Sequence, residues 1–349
     1  MLGALFFLHM KIPKHGMLAS TVSLSGFLNA QRPLSPSYHL QFSEALSNFA
    51  LLCARPIVEA FDGRLIYAGG DDVVALLPAD TALACGEALR LAFTGSPGAK
   101  AFLAQHARRL RERHENEQQR DPKAPPAPYY QKLASEGCLI DCPAPGFVCR
   151  LDHVDQRDVP IPFLVPGPAA DASVGIAIAH FKSPLQDVVR AAQAAEKRAK
   201  NKLGRRAVAV TLFKRSGETI EWGANWEKGG LELYRALADA PQKNQLSSKF
   251  PYRVVELLEP YLTQQTGLAK TVPDSGFGAA VDEIIQREFA VACSRQRGTA
   301  WTSDLAQQLL RLLAQYVAGL GNAELKVRGV IGLCQTVAFS NRTAPEDKP

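Results

Sequence analysis

One short stretch limits what this chain can fold into. Residues 63–78 read GRLIYAGGDDVVALLP, and two β-prone runs, Leu65 to Tyr67 and Val73 to Leu77, flank Gly69, Gly70, Asp71 and Asp72. That pattern predicts a tight β-hairpin. Two glycines at the tip remove Cβ, which lets a bulky anion approach the backbone. Two carboxylates follow at the head of a strand apolar enough to be buried. Aspartate is a poor strand residue, and adjacent buried charges are costly unless something compensates them. A hard divalent cation that also holds phosphate oxygens is one compensation. Solvation at an ordinary Gly-Gly-Asp turn is the other. On an ideal strand Asp71 and Asp72 point to opposite faces, whereas a turn lets both converge. The spacing therefore supports one metal ligand or two.

The flanking chain supplies elements to carry such a hairpin. Leu2 to Met10 reads as a buried strand. Its apolar run resembles a signal peptide but lacks a basic leader, and Lys11 and Lys14 follow it. Ser35 and Pro36 start a helix with apolar residues at Phe42, Leu46, Phe49, Ala50 and Cys53, and Pro56 is expected to kink or divide it. After the hairpin, Asp80 is expected to cap a helix packing through Leu83, Ala84, Ala88 and Leu91.

Residues 95–130 change character: Arg108, Arg109, Arg111 and Arg113 make a charged, solvated helix, and the proline-rich residues 122–128 read as a semi-rigid linker. The arginines read as a solvated face or as a contact for RNA phosphates. No aromatic stacking partners are interleaved among them. Cys138, Cys142, Cys149 and His153 lack the paired two-residue spacing of a zinc knuckle, so they read as scattered thiols. Seven cysteines in all, an odd number, suit reduced thiols in a cytoplasm.

Ser173 to Phe181 reads as a central strand in which Gly175 admits a close neighbour or a ligand. Ser183, Pro184 and Gln186 predict a helix start with a capping box, and Leu185, Val188, Ala192, Ala195, Ala199 and Leu203 form its core stripe. Lys197 and Lys200 sit on one face beside that stripe. They read as a solvated basic helix end favoured by the dipole. Residues 207–213 and 219–226 predict a second hairpin about Ser216 and Gly217. From Leu231 the pattern is helical over 231–240, 252–264, 278–294, 303–318 and 324–339. No internal repeat is read.

The length of 349 residues allows two domains, and 46% hydrophobic with 21% charged residues excludes wholesale disorder. No apolar run is long enough to cross a bilayer. A net charge of +6 is compatible with an RNA or nucleotide partner but does not require one.

The stretch from Ile66 to Pro78 resembles the Gly-Gly-Asp-Asp hairpin of the large, palm-domain subunit of type III CRISPR complexes, the Cmr-type (III-B) branch above all. Four further motifs agree in order: PLSPSYH from Pro33, FLVPGP from Phe163, SVGIAIAH from Ser173 and AAEKRAK from Ala194. WGANW from Trp222 follows them. The resemblance implies an α+β fold: a ferredoxin-like palm of nucleotidyl cyclase type over residues 1–227, with an insertion at about 95–168. An all-α helical bundle over 228–340 and a polar tail over 341–349 would follow. It further implies ATP with Mg²⁺ or Mn²⁺ as ligands. Asp71 and Asp72 would hold the metal, Gly69 and Gly70 would admit the phosphates, and Lys200, then Lys197, would steady them. Ser173 would meet the base or sugar. The implied activity is 3′-5′ cyclic oligoadenylate synthesis on target RNA recognition. The implied partners are the other Cmr subunits, guide RNA and target RNA.

Three departures qualify the enzymatic expectation. No acid precedes Glu44, so His9 and Met10 stand near where the family's first strand has a metal-binding carboxylate. No His-Asp dipeptide occurs, so nuclease activity is not expected. The chain resembles only the second palm and the helical C-terminus, as an N-terminally truncated copy would, so its two-ATP site is expected to need a partner palm. An inert scaffold subunit is the first alternative. A diguanylate-cyclase-like enzyme is the second, although Val73 and Val74 stand where those enzymes have Glu-Phe.

Overall fold

The computed structural model describes residues 2–10, 36–106, 115, 119, 140–154, 157–268 and 274–343. The fold is α+β, a ferredoxin-like palm followed by helices. Strand β1 (Leu2–Met10), a helical stretch, β2 (Arg64–Gly69), β3 (Asp72–Pro78), a helix and β7 (Ala172–His180) follow one another as β-α-β-β-α-β, with three further strands inserted before β7. The chain divides into two compact units, Phe6–Ala172 and Met1–Leu5 with Ser173–Pro349.

In the unit Phe6–Ala172, helix α1 (Pro36–Asn48) runs into a π-helical turn (Phe49–Ala54) and on into α2 (Arg55–Ala60). The sequence predicts that Pro56 kinks or divides this helix. The stretch is divided as expected, with Pro56 in the first turn of α2, and the wide turn just before it relaxes the i→i−4 register that a proline cannot join. Phe49, Ala50, Cys53, Ala54, Ile57 and Val58 are buried, and Phe49 meets Phe93 edge-on at 5.1 Å between centroids. Strands β2 and β3 pair antiparallel, and Val73, Ala75 and Leu77 alternate into the core.

Helix α3 (Ala82–Phe93) starts from Thr81, not Asp80. Thr81 Oγ1 donates to Phe61 O at 2.9 Å rather than capping the helix, and Asp80 is exposed. Its buried face is Ala82, Cys85, Ala88, Leu89, Ala92 and Phe93, not the expected stripe through Leu83, Ala84 and Leu91. This helix is apolar nearly all round, so its hydrophobic period leaves the phase open.

Strands β4 (Ile140–Ala144), β5 (Phe147–Val154) and β6 (Arg157–Leu164) form a separate antiparallel sheet. The β4–β5 turn and the chain just after β6 stop α3: Gly146 N donates to Thr94 O and Gly167 N to Phe93 O, both at 3.1 Å. These bonds satisfy carbonyls a helix end leaves open. Cys142 and Cys149 are buried free thiols, while Cys138 and the arginine cluster at 108–113 lie outside the described residues.

In the other unit, β7 pairs parallel with β8 (Ala207–Phe213), which pairs antiparallel with β9 (Thr219–Asn225) about Gly217. Helix α4 (Leu185–Asn201) crosses β7 at Gly175, where any Cβ would overlap Ala192 O and Glu196 N. The glycine thus admits the helix backbone. Pro184 is itself the N-cap of α4, with no side-chain capping bond, so the expected capping box does not form. Of the expected stripe, Val188, Ala192, Ala195 and Ala199 are buried, but Leu185 is 60% exposed. Arg198 fastens α4 to the strands: it donates to Val210 O at 2.8 Å and Thr211 Oγ1 at 3.1 Å, and pairs with Glu221 at 2.8 Å.

Helices α5 (Gly230–Asp239), α6 (Phe250–Leu268), α7 (Asp274–Arg295), α8 (Ser303–Ala318) and α9 (Ala323–Thr343) complete this unit. Fully buried Tyr316 ties α8 to β9, its hydroxyl donating to Gly223 O at 3.0 Å. Among the described residues no helix is long and apolar enough to cross a membrane.

Candidate functional site

The hairpin tip is a two-residue turn. Gly69 and Asp72 face each other across the ladder, which leaves Gly70 and Asp71 as the central residues. Gly70 has φ +65° and Asp71 does not have a positive φ, the pattern of a type II′ turn. Only glycine takes the first position without cost, which is why the tip needs it.

The two glycines differ in what surrounds them. Nothing lies within 4 Å of a Cβ built on Gly70, so its face is open. The same position on Gly69 is covered by the phenol of Tyr67. A bulge at Ile66 causes this: Leu65 faces Ala75 while Tyr67 faces Val74, so Ile66 has no partner and the strand twists. Ile66 and Tyr67 are both more than half exposed as a result. Asp71 and Asp72, at the turn and the first strand position, are each partly exposed. Two aspartates adjoin the open glycine, and carboxylate oxygens are the hard donors that a divalent cation carrying phosphate oxygens takes. Among the described residues no group of three or more His, Cys, Asp or Glu side chains is gathered to hold a metal.

The remaining sequence-predicted residues lie in the other unit. Ser173 is buried near the start of β7. Lys197 is exposed on α4 and, among the described residues, makes no ion pair. Lys200, one turn from Glu196, contacts its carboxylate, and both side chains are largely buried. Sequence reading missed Glu196, although its spacing four residues before a lysine is the signal for such a pair. Glu196 is 6% exposed, and Lys200 is its neutralising partner. Lys200 is thus held in an ion pair on its own helix, whereas Lys197 has no ion-pair partner among the described residues. The structure brings Gly69, Gly70, Asp71 and Asp72 together in one unit, and Ser173, Lys197 and Lys200 on adjacent elements of the other.

Comparison with known proteins agrees with the motif reading. Residues 18–113 match the family model described as Cas10/Cmr2, second palm domain. The chain is 27% identical over 304 residues to the CRISPR system Cmr subunit Cmr2 of Pyrococcus furiosus, covering 85% of this chain and 25% of that protein. It is 40% identical over 62 residues to the CMR subunit Cmr2 of Saccharolobus solfataricus, covering 18% of this chain and 6% of that one. The chain thus spans about a quarter of the length of the Pyrococcus relative. Among solved structures, the apo type III-B Cmr-beta complex holds a chain that superimposes with a TM-score of 0.46 at 15% identity, over 82% of this chain and 27% of that chain. By sequence, the chain is thus similar to the Cmr2 subunits and, over residues 18–113, to the second palm domain of Cas10/Cmr2.

Proposed function

We propose that this chain is the second-palm part of the large subunit of a type III-B RNA-guided antiviral complex. Its hairpin binds ATP with Mg²⁺ or Mn²⁺. The observation that carries this reading is the type II′ tip, with two carboxylates beside an open glycine, in a chain similar to the Cmr2 second palm.

Asp71 and Asp72 hold the metal, which supplies charge neutralisation for a triphosphate. Gly70 leaves room for phosphate oxygens to reach the backbone, and Tyr67 must swing away before Gly69 does the same. Lys197 and the Glu196–Lys200 pair steady the phosphates, and Ser173 meets the base or sugar. The reaction is phosphoryl transfer: a 3′-hydroxyl of one ATP attacks the α-phosphorus of another, and pyrophosphate leaves. Positioning and fixed charge carry most of the rate in such a step. The product is a 3′-5′ cyclic oligoadenylate, made on target RNA recognition with a partner palm completing the site.

The test incubates the chain with labelled ATP or GTP and Mn²⁺, with and without the remaining Cmr subunits, guide RNA and target RNA. ATP-derived cyclic products that vanish with Asp71→Ala and Asp72→Ala support the proposal. ATP binding without products, even in the full assembly, replaces it with a scaffold role. GTP-derived products replace it with a diguanylate-cyclase-like activity.

A further inference from the structure

A second surface is built far along the chain from the hairpin. The turn between β8 and β9 faces helices α6 and α9 across a mostly apolar groove of about 420 Å³. That volume lies in the range of small-molecule and nucleoside sites. Val255, Ala338 and Phe339 line it, and Tyr252, 43% exposed, stands in its wall. Lys214 and Arg215 occupy the turn. Lys214 is neutralised by Glu218 at 2.9 Å. Arg215 makes no ion pair among the described residues.

Arg215 contacts His180, Nη2 to Nε2 at 2.8 Å. The backbone N–H of Lys182 also points at this ring, 3.3 Å from Nδ1. A neutral imidazole has one acceptor nitrogen and a charged one has none, so the ring cannot accept from both. The guanidinium is left with unused donors and an uncompensated charge. Beside it, Phe181 is 63% exposed, its ring 4.5 Å from that of His180, and Lys182 Nζ sits 5.8 Å from the Phe181 centroid. Exposed aromatic faces interleaved with cations, next to a mostly apolar groove, match the chemistry of an unpaired nucleotide strand.

We propose that this surface binds single-stranded nucleic acid. One base enters the groove against Tyr252, a neighbouring base stacks on Phe181, and the connecting phosphates lie on Arg215 and Lys182. A duplex does not fit the scheme, because its bases are already stacked and paired. The proposal uses no residue of the hairpin and stands or falls apart from nucleotide cyclisation.

The experiment is fluorescence anisotropy on the full chain with a short labelled RNA, the DNA of the same sequence, and the RNA annealed to its complement. Binding of the single strands is expected, with the duplex weaker. RNA above DNA identifies the 2′-hydroxyl as a contact, and equal binding identifies a strand-generic site. Tyr252→Ala is expected to weaken binding about ten-fold. Arg215→Gln is expected to weaken it and to lower the salt slope by about 0.7. Lys243→Gln, on an exposed stretch elsewhere, leaves binding unchanged. No binding by the parent chain overturns the proposal. So does equal affinity in the Tyr252 and Arg215 variants, preference for the duplex, or displacement of RNA by an acidic aromatic peptide at lower concentration.

Discussion

Arg90 and Asp171 form a bidentate pair, Nε to Oδ1 at 2.7 Å and Nη2 to Oδ2 at 2.6 Å, with the carboxylate only 3% exposed. The same Oδ1 accepts from the backbone N–H of Ala172 at the head of β7. The pair therefore joins α3 to the residue that starts a palm strand. Removing one partner strands a buried charge. Arg90→Ala is expected to cost about 3–5 kcal/mol in denaturant unfolding, and the double change to Met and Leu far less. A loss below about 1 kcal/mol for the single change means water reaches the carboxylate.

The two tip glycines are expected to respond differently to a methyl group. Gly70→Ala forces an L-residue to φ +65° and costs about 1–2 kcal/mol. At Gly69 the obstacle is the end of a half-exposed tyrosine, which can swing into water, so Gly69→Ala costs under about 1 kcal/mol. Thermal melts of the two variants check the order. The reverse order means that the Tyr67 ring is fixed.

His180 is expected to titrate below the ordinary value of about 6.5. Desolvation lowers it first, and then the Arg215 guanidinium beside it. A base whose folded pKa is depressed contributes stability that is complete above the unfolded pKa. That contribution is lost as pH falls through the folded value. The window thus opens at about 6.5 and runs downward. An NMR titration of the ring gives the midpoint, and Arg215→Gln is expected to move it up. An unmoved midpoint contradicts the 2.8 Å contact.

The buried thiols are expected to be inert in the native chain. Burial pushes Cys53 and Cys293 up to about 12, and raises Cys85 and Cys334 as well. The thiolate is the reactive form, so a thiol reagent at neutral pH should modify these four only on unfolding. Modification of any of them before the unfolding transition shows local opening at that site.

The parts of the molecule readable from sequence are those decided by neighbouring residues. The hairpin was legible because a two-residue turn with glycine first is local chemistry, and helices α5 and α8 because their apolar periods are regular. What periodicity gives is an angle around the helix axis. It does not say whether a helix end overhangs its support, which is why Leu185 was expected inside and is exposed. Arg90 and Asp171 are 81 positions apart, and no local pattern announces such a pair. The π turn that accommodates Pro56 likewise depends on packing around Phe49 and Cys53. The candidate site was legible as types of residue, whereas the shielding of Gly69 by Tyr67 and the neutralisation of Lys200 by Glu196 were not.

The crossing at Gly175 has a mechanical consequence. Main-chain atoms of α4 touch the strand with no side chain between them, so neither element can slide or roll without the other. Ser173, two residues back on the strand, and Lys197 and Lys200, further along the helix, are thus carried on one stiff lever. Any rearrangement that moves one of them moves all three at once.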